Sequence, residues 1–384
     1  MKKTLLATAI AGALAASGAQ AATVYNQDGT KLDLYGNLQI AYKTVETANE
    51  NTGTVDSEDE IFDNGSTIGV AGEHAISQGL TGYFKGEWEF TADEAKGSTR
   101  GINRGDQAYF GLKGNFGDVR LGSWDALIDD WIQDPVTNNE YFDVSDSNSR
   151  IVGIEDSREG NKLQYMSPSF NGFQFAVGTQ YEGDAESDGD ANIDITNGGS
   201  VNVKQDSDSN ASFYGGVKYT AGAFSIAALY DNLDNNQGSY TGVDADDIPI
   251  SGDFEAGEQY GITGQYTIDT LRVALKLERF QSDNDFVADT NFYGLGARYG
   301  YGMGDIYGAY QYVDVGGGNF LDTADDAFTS GDWPTDREDE SYNEVVVGAT
   351  YNVSAAMYTF IEGAWYDREN DLDDGVSVGA VYLF

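Results

Sequence analysis

The sequence predicts an all-β fold, a 16-stranded antiparallel barrel that crosses a membrane with its strands. Segments of about ten residues alternate apolar and polar side chains, and the connections between them alternate between short and long. Membrane barrels hide their lipid-facing side chains in this period-two pattern. Beyond the first 21 residues, no stretch stays apolar for the ~18 residues that a membrane helix needs.

The chain begins with the pattern of a secretory signal peptide. Two lysines precede an apolar run at residues 5–16, and Ala19-Gln20-Ala21 supplies small residues for cleavage. We expect residues 1–21 to be removed and residues 22–384 to form the barrel domain. The chain has no cysteine, and a closed barrel does not need disulfides because its strand ladder satisfies the backbone.

The composition is strongly acidic. Without the signal peptide and its two lysines, the chain has 19 Lys and Arg against 64 Asp and Glu, a net charge of −45. This charge argues against a nucleic-acid partner, because phosphates would be repelled. It favours a saline habitat, in which screening shortens the range of self-repulsion.

The strands can be placed in order from their alternation and from the turn signals between them. The first mature strand covers residues 31–45, in which Leu32, Leu34, Ile40 and Tyr42 recur among polar positions. The pattern predicts sixteen strands, an even number as single-chain bacterial barrels require. They lie near residues 30–45, 65–75, 80–92, 103–114, 117–124, 158–166, 171–182, 210–220, 223–234, 256–267, 270–282, 290–300, 305–315, 341–352, 356–368 and 375–384.

The connections separate into two classes. The short ones are predicted periplasmic turns, at residues 77–79, 115–117, 167–172, 221–222, 268–269, 300–304 and 353–355. The others are mostly longer and rich in Asp, Glu, Asn and Gly. They are predicted extracellular loops, at residues 46–64, 93–102, 125–157, 183–209, 235–255, 283–289, 316–340 and 369–374.

Both ends of the mature chain carry distinctive motifs. Residues 22–38 read ATVYNQDGTKLDLYGNL, and residues 375–384 read GVSVGAVYLF. They resemble the first and last strands of the general diffusion porins of Gram-negative outer membranes. The resemblance implies an outer-membrane homotrimer in contact with lipid and lipopolysaccharide, with a pore for small hydrophilic solutes. It also implies that Phe384 belongs to the signal that the barrel-assembly machinery reads, and that the loop near residues 93–102 reaches a neighbouring subunit.

A long acidic segment, residues 123–158, interrupts the regular array. We expect its loop, residues 125–157, to fold into the lumen and narrow the pore. WDAL at residues 124–127 resembles the entry to the constriction loop of the porins. The PEFGG motif of these porins is missing here. Pro135 is followed by Val136, at the place where the motif has its glutamate. The candidate constriction acids are Asp125, Asp129, Asp130, Asp134, Glu140, Asp143 and Asp146, and we favour Asp129, Asp130 and Asp134.

Basic residues are expected on the facing wall, where the family places an arginine ladder. Arg158 in REGNKLQY matches the strand arginine after the loop, and alternation independently places Arg158 and Lys162 on the inner face. Lys85 also lies on an inner face. Arg104 stands close to another arginine position of the family's ladder. The residue nearest that position is Asp106, so a negative charge stands where the family has a positive one.

Opposed acids and bases would create a transverse field across the narrow part of the pore, which favours polar solutes over apolar ones. The thinned ladder, the acidic loop and the reversed sign at Asp106 together predict a preference for cations.

One acidic loop imitates a calcium-binding motif. Carboxylates occupy positions 1, 3, 5 and 7 of the pattern, with Gly189 at position 6, and they belong to Asp184, Glu186, Asp188 and Asp190. Ile195 replaces the closing Glu, and no flanking helices are predicted. A hydrated acidic loop is therefore the alternative to a loop-bound divalent cation, and no other cofactor is expected.

Three other function classes compete with a general pore. A barrel enzyme would generally need a histidine base, but His74 falls beside a short turn, away from the long loops. A structural or adhesive barrel would not need the long loop in mid-chain. A substrate-specific outer-membrane channel remains the alternative to a general pore.

Overall fold

The computed structural model describes residues 21–49, 54–94, 102–132, 139–151, 160–181, 190–195, 199–205, 211–243, 248–284, 287–317, 341–368 and 371–384. No helix in these ranges is long and apolar enough to cross a membrane. The ordered elements are β1 (Ala22–Gln27), β2 (Thr30–Asn49), β3 (Thr54–Asp63), β4 (Thr67–Ser77), β5 (Leu80–Phe90), β6 (Ile102–Gly114), β7 (Gly117–Ser123), α1 (Leu127–Trp131), a 3-10 helix (Ser147–Arg150), β8 (Lys162–Met166), β9 (Phe173–Tyr181), β10 (Asp190–Ile195), β11 (Gly199–Gln205), β12 (Ala211–Ala221), β13 (Phe224–Asn232), β14 (Gln237–Val243), β15 (Pro249–Glu255), β16 (Gly257–Ile268), β17 (Leu271–Ser282), β18 (Thr290–Gly300), β19 (Asp305–Val315), β20 (Tyr342–Ser354), β21 (Met357–Tyr366) and β22 (Gly375–Leu383).

The strands close into the predicted 16-stranded antiparallel barrel. Each barrel strand pairs with the next, β9 pairs with β12, β13 pairs with β16, and β22 returns to β2. β3 and β4 lie end to end and occupy one strand position of the barrel. β3 pairs with residues 40–49 of β2, and β4 pairs with residues 30–37 of β2. The chain bends between them where the Asp63 carboxylate accepts hydrogen bonds from the backbone N–H groups of Gly65 (2.9 Å) and Ser66 (2.7 Å).

Alternation decides which side chains meet water and which face outward. On β5, Phe84 and Trp88 lie on the outer face and are 45% and 38% exposed. Lys85 and Glu87 lie on the inner face, with their charged atoms 3.5 Å apart. Large apolar side chains are exposed in the same way on strands around the whole wall, which is the pattern of a lipid-facing surface.

Inner-face tyrosines lie across glycines on the neighbouring strand. Tyr307 on β19 pairs with Gly348 on β20, and Tyr35 on β2 pairs with Gly69 on β4. A Cβ atom at either glycine would overlap the tyrosine ring. The missing side chain therefore leaves the space that the ring fills, and the aromatic residue covers an otherwise bare stretch of strand.

The N-terminal strand β1 was not predicted. Asp28 (φ 52°) and Gly29 (φ 73°) form a two-residue turn that folds β1 back onto β2, as an Asp-Gly pair favours. Phe384 continues β22 along the same side of β2 by exchanging backbone hydrogen bonds with Gly36, at 2.9 and 3.0 Å. β1 and β22 thus lie end to end against β2.

Three of the predicted long loops contain strands. β2 and β3 extend into the expected loop 46–64 as a hairpin. The expected loops 183–209 and 235–255 contain β10, β11, β14 and β15, which form a separate four-stranded sheet. Its apolar residues pack on Phe280 of β17 and on Leu233. Acidic and polar residues dominate these segments, so their short apolar alternations were interpreted as loops.

Candidate functional site

The first part of the long loop packs against the inside of the barrel. In α1, Leu127, Ile128 and Trp131 fall on one side of the helix turn and are buried. Together with Ala126 and Ile132, they contact inner-face residues of β9, β12 and β13, namely Ala176, Tyr214, Ala227 and Leu229. The loop therefore enters the lumen, as expected from its position between regular strands.

A buried carboxylate on the wall holds the middle of the loop. Glu362 on β21 accepts hydrogen bonds from the backbone N–H groups of Glu140 (2.9 Å), Tyr141 (3.1 Å) and Phe142. The Tyr307 hydroxyl donates to the same carboxylate. Hydrogen bonds to an ionised acceptor are stronger than neutral ones, so Glu362 fixes this part of the loop on the wall.

Two further wall carboxylates continue the attachment. Glu344 on β20 accepts from the backbone N–H of Ser145 at 2.8 Å, and Glu278 on β17 accepts from that of Ser147 at 2.8 Å. Lys276 lies 3.3 Å from Glu278 and donates to the Ser145 carbonyl at 2.9 Å. We call Glu278, Glu344 and Glu362 the wall carboxylates.

The wall carboxylates are not among the residues predicted from the sequence. Each one occupies an inner-face position of its strand beside an outward apolar residue, namely Leu277, Val345 and Ile361, so alternation could have placed them in the lumen. Their pairing with the loop links residues 131 to 222 positions apart, and no local pattern encodes such pairings.

Of the predicted constriction acids, Asp125 and Asp129 have structural partners in the loop region. The Asp125 carboxylate accepts from Gln107 Nε2, which lies 2.9 Å from both oxygens. Asp129 accepts from the side chain of Asn148, which joins the two ends of the loop. Burial raises the pKa of Asp130, and nearby Arg120 opposes that rise. Asp134 lies outside the described residues.

A bulge in β6 gives Asp106 its position. Gly86 of β5 pairs with Ala108 of β6, and Trp88 pairs with Gly105. Two residues of β6, Asp106 and Gln107, therefore lie opposite the single residue Glu87. Asp106 consequently lies near Glu87 and Asp125. Three carboxyl groups converge on this wall, which we call the acidic wall.

The predicted bases are placed differently from one another. Lys85 lies on the acidic wall, where its Nζ donates to Gln107 at 3.1 Å. Lys162 faces inward but is only 3% exposed, because it lies beneath the Trp124 ring and donates to the Asp125 carbonyl at 3.1 Å. Arg104 belongs to β6, and nothing is described of its side chain. Arg158 lies outside the described residues.

Arg120 on β7 is an inner-wall base that the sequence analysis missed. Its guanidinium carbon lies 4.3 Å from the centre of the Trp124 ring and 5.3 Å from that of Tyr109. The alternation in DVRLGS, with Val119 and Leu121 on one face, would have placed it inside.

The opposite wall carries an arginine pair on β17 and β18. Arg272 and Arg298 are direct cross-strand neighbours. Arg298 lies 3.5 Å from Asp305 and 4.6 Å from the centre of the Tyr307 ring. Glu140 of the loop lies near Arg298 and accepts a hydrogen bond from the Tyr358 hydroxyl at 3.0 Å. Burial raises the pKa of Glu140 to about 7.

The remaining predicted sites stay largely predictions. Asp190 begins β10, while Asp184, Glu186 and Asp188 lie outside the described residues, so the calcium motif is untested. Phe384 ends the chain beside Gly36, and its role in assembly is also a prediction. In the loop at residues 93–102, expected to reach a neighbouring subunit, residues 95–101 lie outside the described residues.

Comparison with known proteins agrees with this geometry. The family model described as Gram-negative porin matches residues 7–371. A monosaccharide porin from Halomonas sp. and the major outer membrane protein of Halomonas elongata are each 59% identical to this chain over 392 residues, with both chains fully covered.

Solved porin structures share the fold. An anion-selective porin from Comamonas acidovorans aligns with a TM-score of 0.63 at 18% identity, covering 92% of this chain and 100% of that chain. The OmpF of Salmonella typhi, in complex with daunomycin, aligns with a TM-score of 0.62 at 21% identity, covering 94% and 100%.

Proposed function

The chain belongs to the Gram-negative porin family and is an outer-membrane porin, and we propose that it is a general diffusion channel for small hydrophilic solutes and ions. In this proposal, loop 125–157 narrows a water-filled pore, and passage is passive. The observation that carries it is the attachment of the loop backbone to the wall carboxylates inside the barrel. Such a pore selects solutes by its width and by the charges that face the water, without catalysis.

We further propose that the pore prefers cations. The acidic wall brings Glu87, Asp106 and Asp125 together, with Lys85 as a neighbouring base. Lys162 and Lys276 are 3% and 0% exposed, so these two bases have little contact with passing ions. A cation entering the pore would therefore meet more accessible negative charge than an anion would.

A channel selective for monosaccharides is the second candidate. It is favoured by the name of the Halomonas sp. relative, which is 59% identical over its full length. Aromatic rings and hydrogen-bonding groups that line the lumen suit a sugar ring, as in the pair of Phe62 on β3 and Tyr141 in the loop, whose centroids are 4.8 Å apart. Liposome swelling with neutral sugars of graded size separates the candidates, because a general pore sorts by size alone.

The proposed partners follow from the family resemblance. We propose a homotrimer whose outer wall contacts lipid and lipopolysaccharide and whose Phe384 is read by the barrel-assembly machinery. The exposed apolar side chains of the outer face support a lipid or protein environment around the barrel.

Planar-bilayer recording tests the channel and its selectivity. We expect ion conductance from the wild type, with a reversal potential in a KCl gradient that reports cation preference. Asp125→Asn should shift the reversal potential toward anions. Asp269→Asn is the matched control, because it removes the same charge in a short turn whose left-handed φ of 53° Asn accepts.

The outcomes separate the parts of the proposal. Absence of conductance in folded protein would refute the channel function. Anion preference in the wild type would refute the charge argument and leave the channel intact.

A further inference from the structure

We propose that Arg368 is a positioning residue that connects the last of the predicted extracellular loops to the inward loop 125–157. We call residues 369–374 the last loop. The inference rests on the proposed channel function, because the inward loop narrows the pore in that proposal. It goes beyond that function by assigning control of the inward loop to a residue outside the barrel strands.

Arg368 joins two carboxylates that belong to different parts of the molecule. Its Nη2 donates to Glu344 at 3.1 Å, and its Nη1 donates to Asp373. Glu344 lies on β20 in the barrel wall, whereas Asp373 lies in the last loop and Arg368 follows the end of β21 at Tyr366. The planar guanidinium presents separate donors to the two partners. One side chain therefore holds the last loop against a wall carboxylate.

Glu344 is the wall carboxylate that binds Ser145 of the inward loop. It is 0% exposed and accepts from both the backbone N–H of Ser145 (2.8 Å) and the Ser145 hydroxyl. Arg368 is the only basic side chain within ion-pair distance of Glu344 in the part of the chain that the structure describes. A buried carboxylate without a counter-charge is strongly unfavourable. Without Arg368, this strain would be relieved by water, which reaches Glu344 only if the loop moves away.

The source of the counter-charge distinguishes Glu344 from Glu278. Glu278 pairs at 3.3 Å with Lys276, which lies on the same strand of the wall. The counter-charge of Glu344 comes from a residue beyond the end of a strand. Of these two attachments of the inward loop, the one at Ser145 therefore depends on the position of an extracellular segment.

Two tyrosines strengthen the connection between Arg368 and the inward loop. The guanidinium carbon lies 4.6 Å from the centre of the Tyr366 ring and 5.0 Å from that of Tyr342, distances at which a cation is attracted to the ring. The Tyr366 hydroxyl donates to the Asp143 carbonyl at 2.7 Å, and the Tyr342 hydroxyl lies 3.4 Å from Oγ of Ser145. The rings beside Arg368 thus also contact the inward loop.

The backbone of β2 fixes the position of Asp373. The N–H of Asp373 donates to the Glu46 carbonyl at 2.8 Å, and the N–H of Glu46 donates to the Asp374 carbonyl at 2.9 Å. Asp373 is therefore held near Arg368 by contacts outside the inward loop. The connection runs from Asp373 through Arg368 and Glu344 to the inward loop.

The test is single-channel recording in planar bilayers of the wild type and of variants whose unfolding temperature is also measured. We expect Arg368→Gln to raise the fraction of time spent away from the main conductance level roughly ten-fold, the effect of weakening a hydrogen bond to a charged group. Arg368→Lys keeps the charge but loses the fork, so it should have an intermediate effect. Glu344→Gln should resemble Arg368→Gln, and the double variant should add little, because both changes act on one contact.

Two substitutions in the last loop provide a matched comparison. Asp373→Asn and Asp371→Asn each remove one negative charge at a left-handed φ, 69° and 59°, which Asn accepts. Among the described residues, Arg368 forms an ion pair with Asp373 and none with Asp371. Asp373→Asn should therefore increase departures from the main conductance level, by less than Arg368→Gln does. Asp371→Asn should record like the wild type.

The proposal is overturned if a folded Arg368→Gln variant records like the wild type, or if its effect and that of Glu344→Gln add in full. It is also overturned if Asp371→Asn and Asp373→Asn have equal effects. Should Arg368→Gln fail to fold, the comparison at positions 371 and 373 decides alone. A wild type that folds but carries no current would instead refute the channel function itself.

Discussion

The carboxylate of Glu362 accepts a hydrogen bond from the backbone N–H of Tyr141 at 3.1 Å, across 221 positions of sequence. The flanking N–H groups of Glu140 and Phe142 donate to the same side chain. One wall residue thus determines where the middle of the inward loop lies, and its removal should change both pore and stability.

Glu362→Gln tests this anchor. The substitution keeps the shape but turns one acceptor oxygen into a donor that faces backbone N–H groups, so some of these bonds are lost. Each bond to a charged group contributes roughly 1.5–3 kcal/mol, and the loop should detach part of the time. We expect larger or noisier single-channel conductance and a lower unfolding temperature.

Glu73→Gln is the control for this anchor. Glu73 is 45% exposed and pairs with Lys113 at 3.0 Å, an interaction that contributes little in a solvated position. It should leave conductance and unfolding temperature close to wild type. Equal conductance traces for Glu362→Gln and the wild type would contradict the assigned role of Glu362.

Gly348→Ala tests the contact between Tyr307 and the bare strand beside it. The added Cβ would overlap the Tyr307 ring and push its hydroxyl away from Glu362. We expect a loss of about 1–3 kcal/mol in unfolding free energy, typical of overpacking. Gly264→Ala is the control, because a Cβ at Gly264 meets nothing within 4 Å. Thermal unfolding in detergent compares the two, and equal effects would refute the steric argument.

Ion selectivity should depend on pH near neutrality through Glu140. Its pKa is raised from 4.5 to about 7 by burial, so it is mostly protonated below that pH and mostly ionised above it. Cation preference should therefore rise between about pH 6 and about pH 8. Because the folded state binds this proton more tightly, the Glu140 contribution to stability is full below about pH 4.5, falls as pH rises from there, and is lost above about pH 7.

Reversal potentials measured across that range check the Glu140 prediction. Glu140→Gln should remove the step and hold selectivity near the low-pH value of the wild type. A step that persists unchanged in Glu140→Gln would assign the titration to another group.

Salt should stabilise the folded protein. With a net charge of −45 after loss of the signal peptide, repulsion between exposed carboxylates is screened as ionic strength rises. We expect a higher unfolding temperature in about 1 M NaCl, where the Debye length is about 3 Å, than in about 0.1 M NaCl, where it is about 10 Å. Sucrose at matched osmolarity controls for solute exclusion. An unfolding temperature that is equal or higher in low salt would contradict the prediction.

Most of the barrel could be predicted because lipid and water impose a strict alternation on each strand. The bounds of β18 and β19 match the prediction, since clear turn residues flank both. β10 and β11 could not be found this way, because they pair outside the barrel wall in the sheet with β14 and β15, and the segments around them are rich in polar residues.

The candidate site was harder to predict, because alternation gives the face but not the depth of a side chain. It placed Lys162 inside correctly, yet the burial of Lys162 depends on Trp124, which folds over it from the loop. The bulge that carries Asp106 also depends on pairing with β5 rather than on any local signal in β6.

β1 and β22 lie end to end along β2, so the first and the last strands of the barrel meet at one place in its wall. Without β22, the strands β2 and β21 would each present unpaired backbone to lipid, where no water can satisfy it. The barrel wall is therefore complete only when β22 is paired on both sides. A polypeptide that stops short of that strand would remain an open, adhesive sheet and a ready target for degradation.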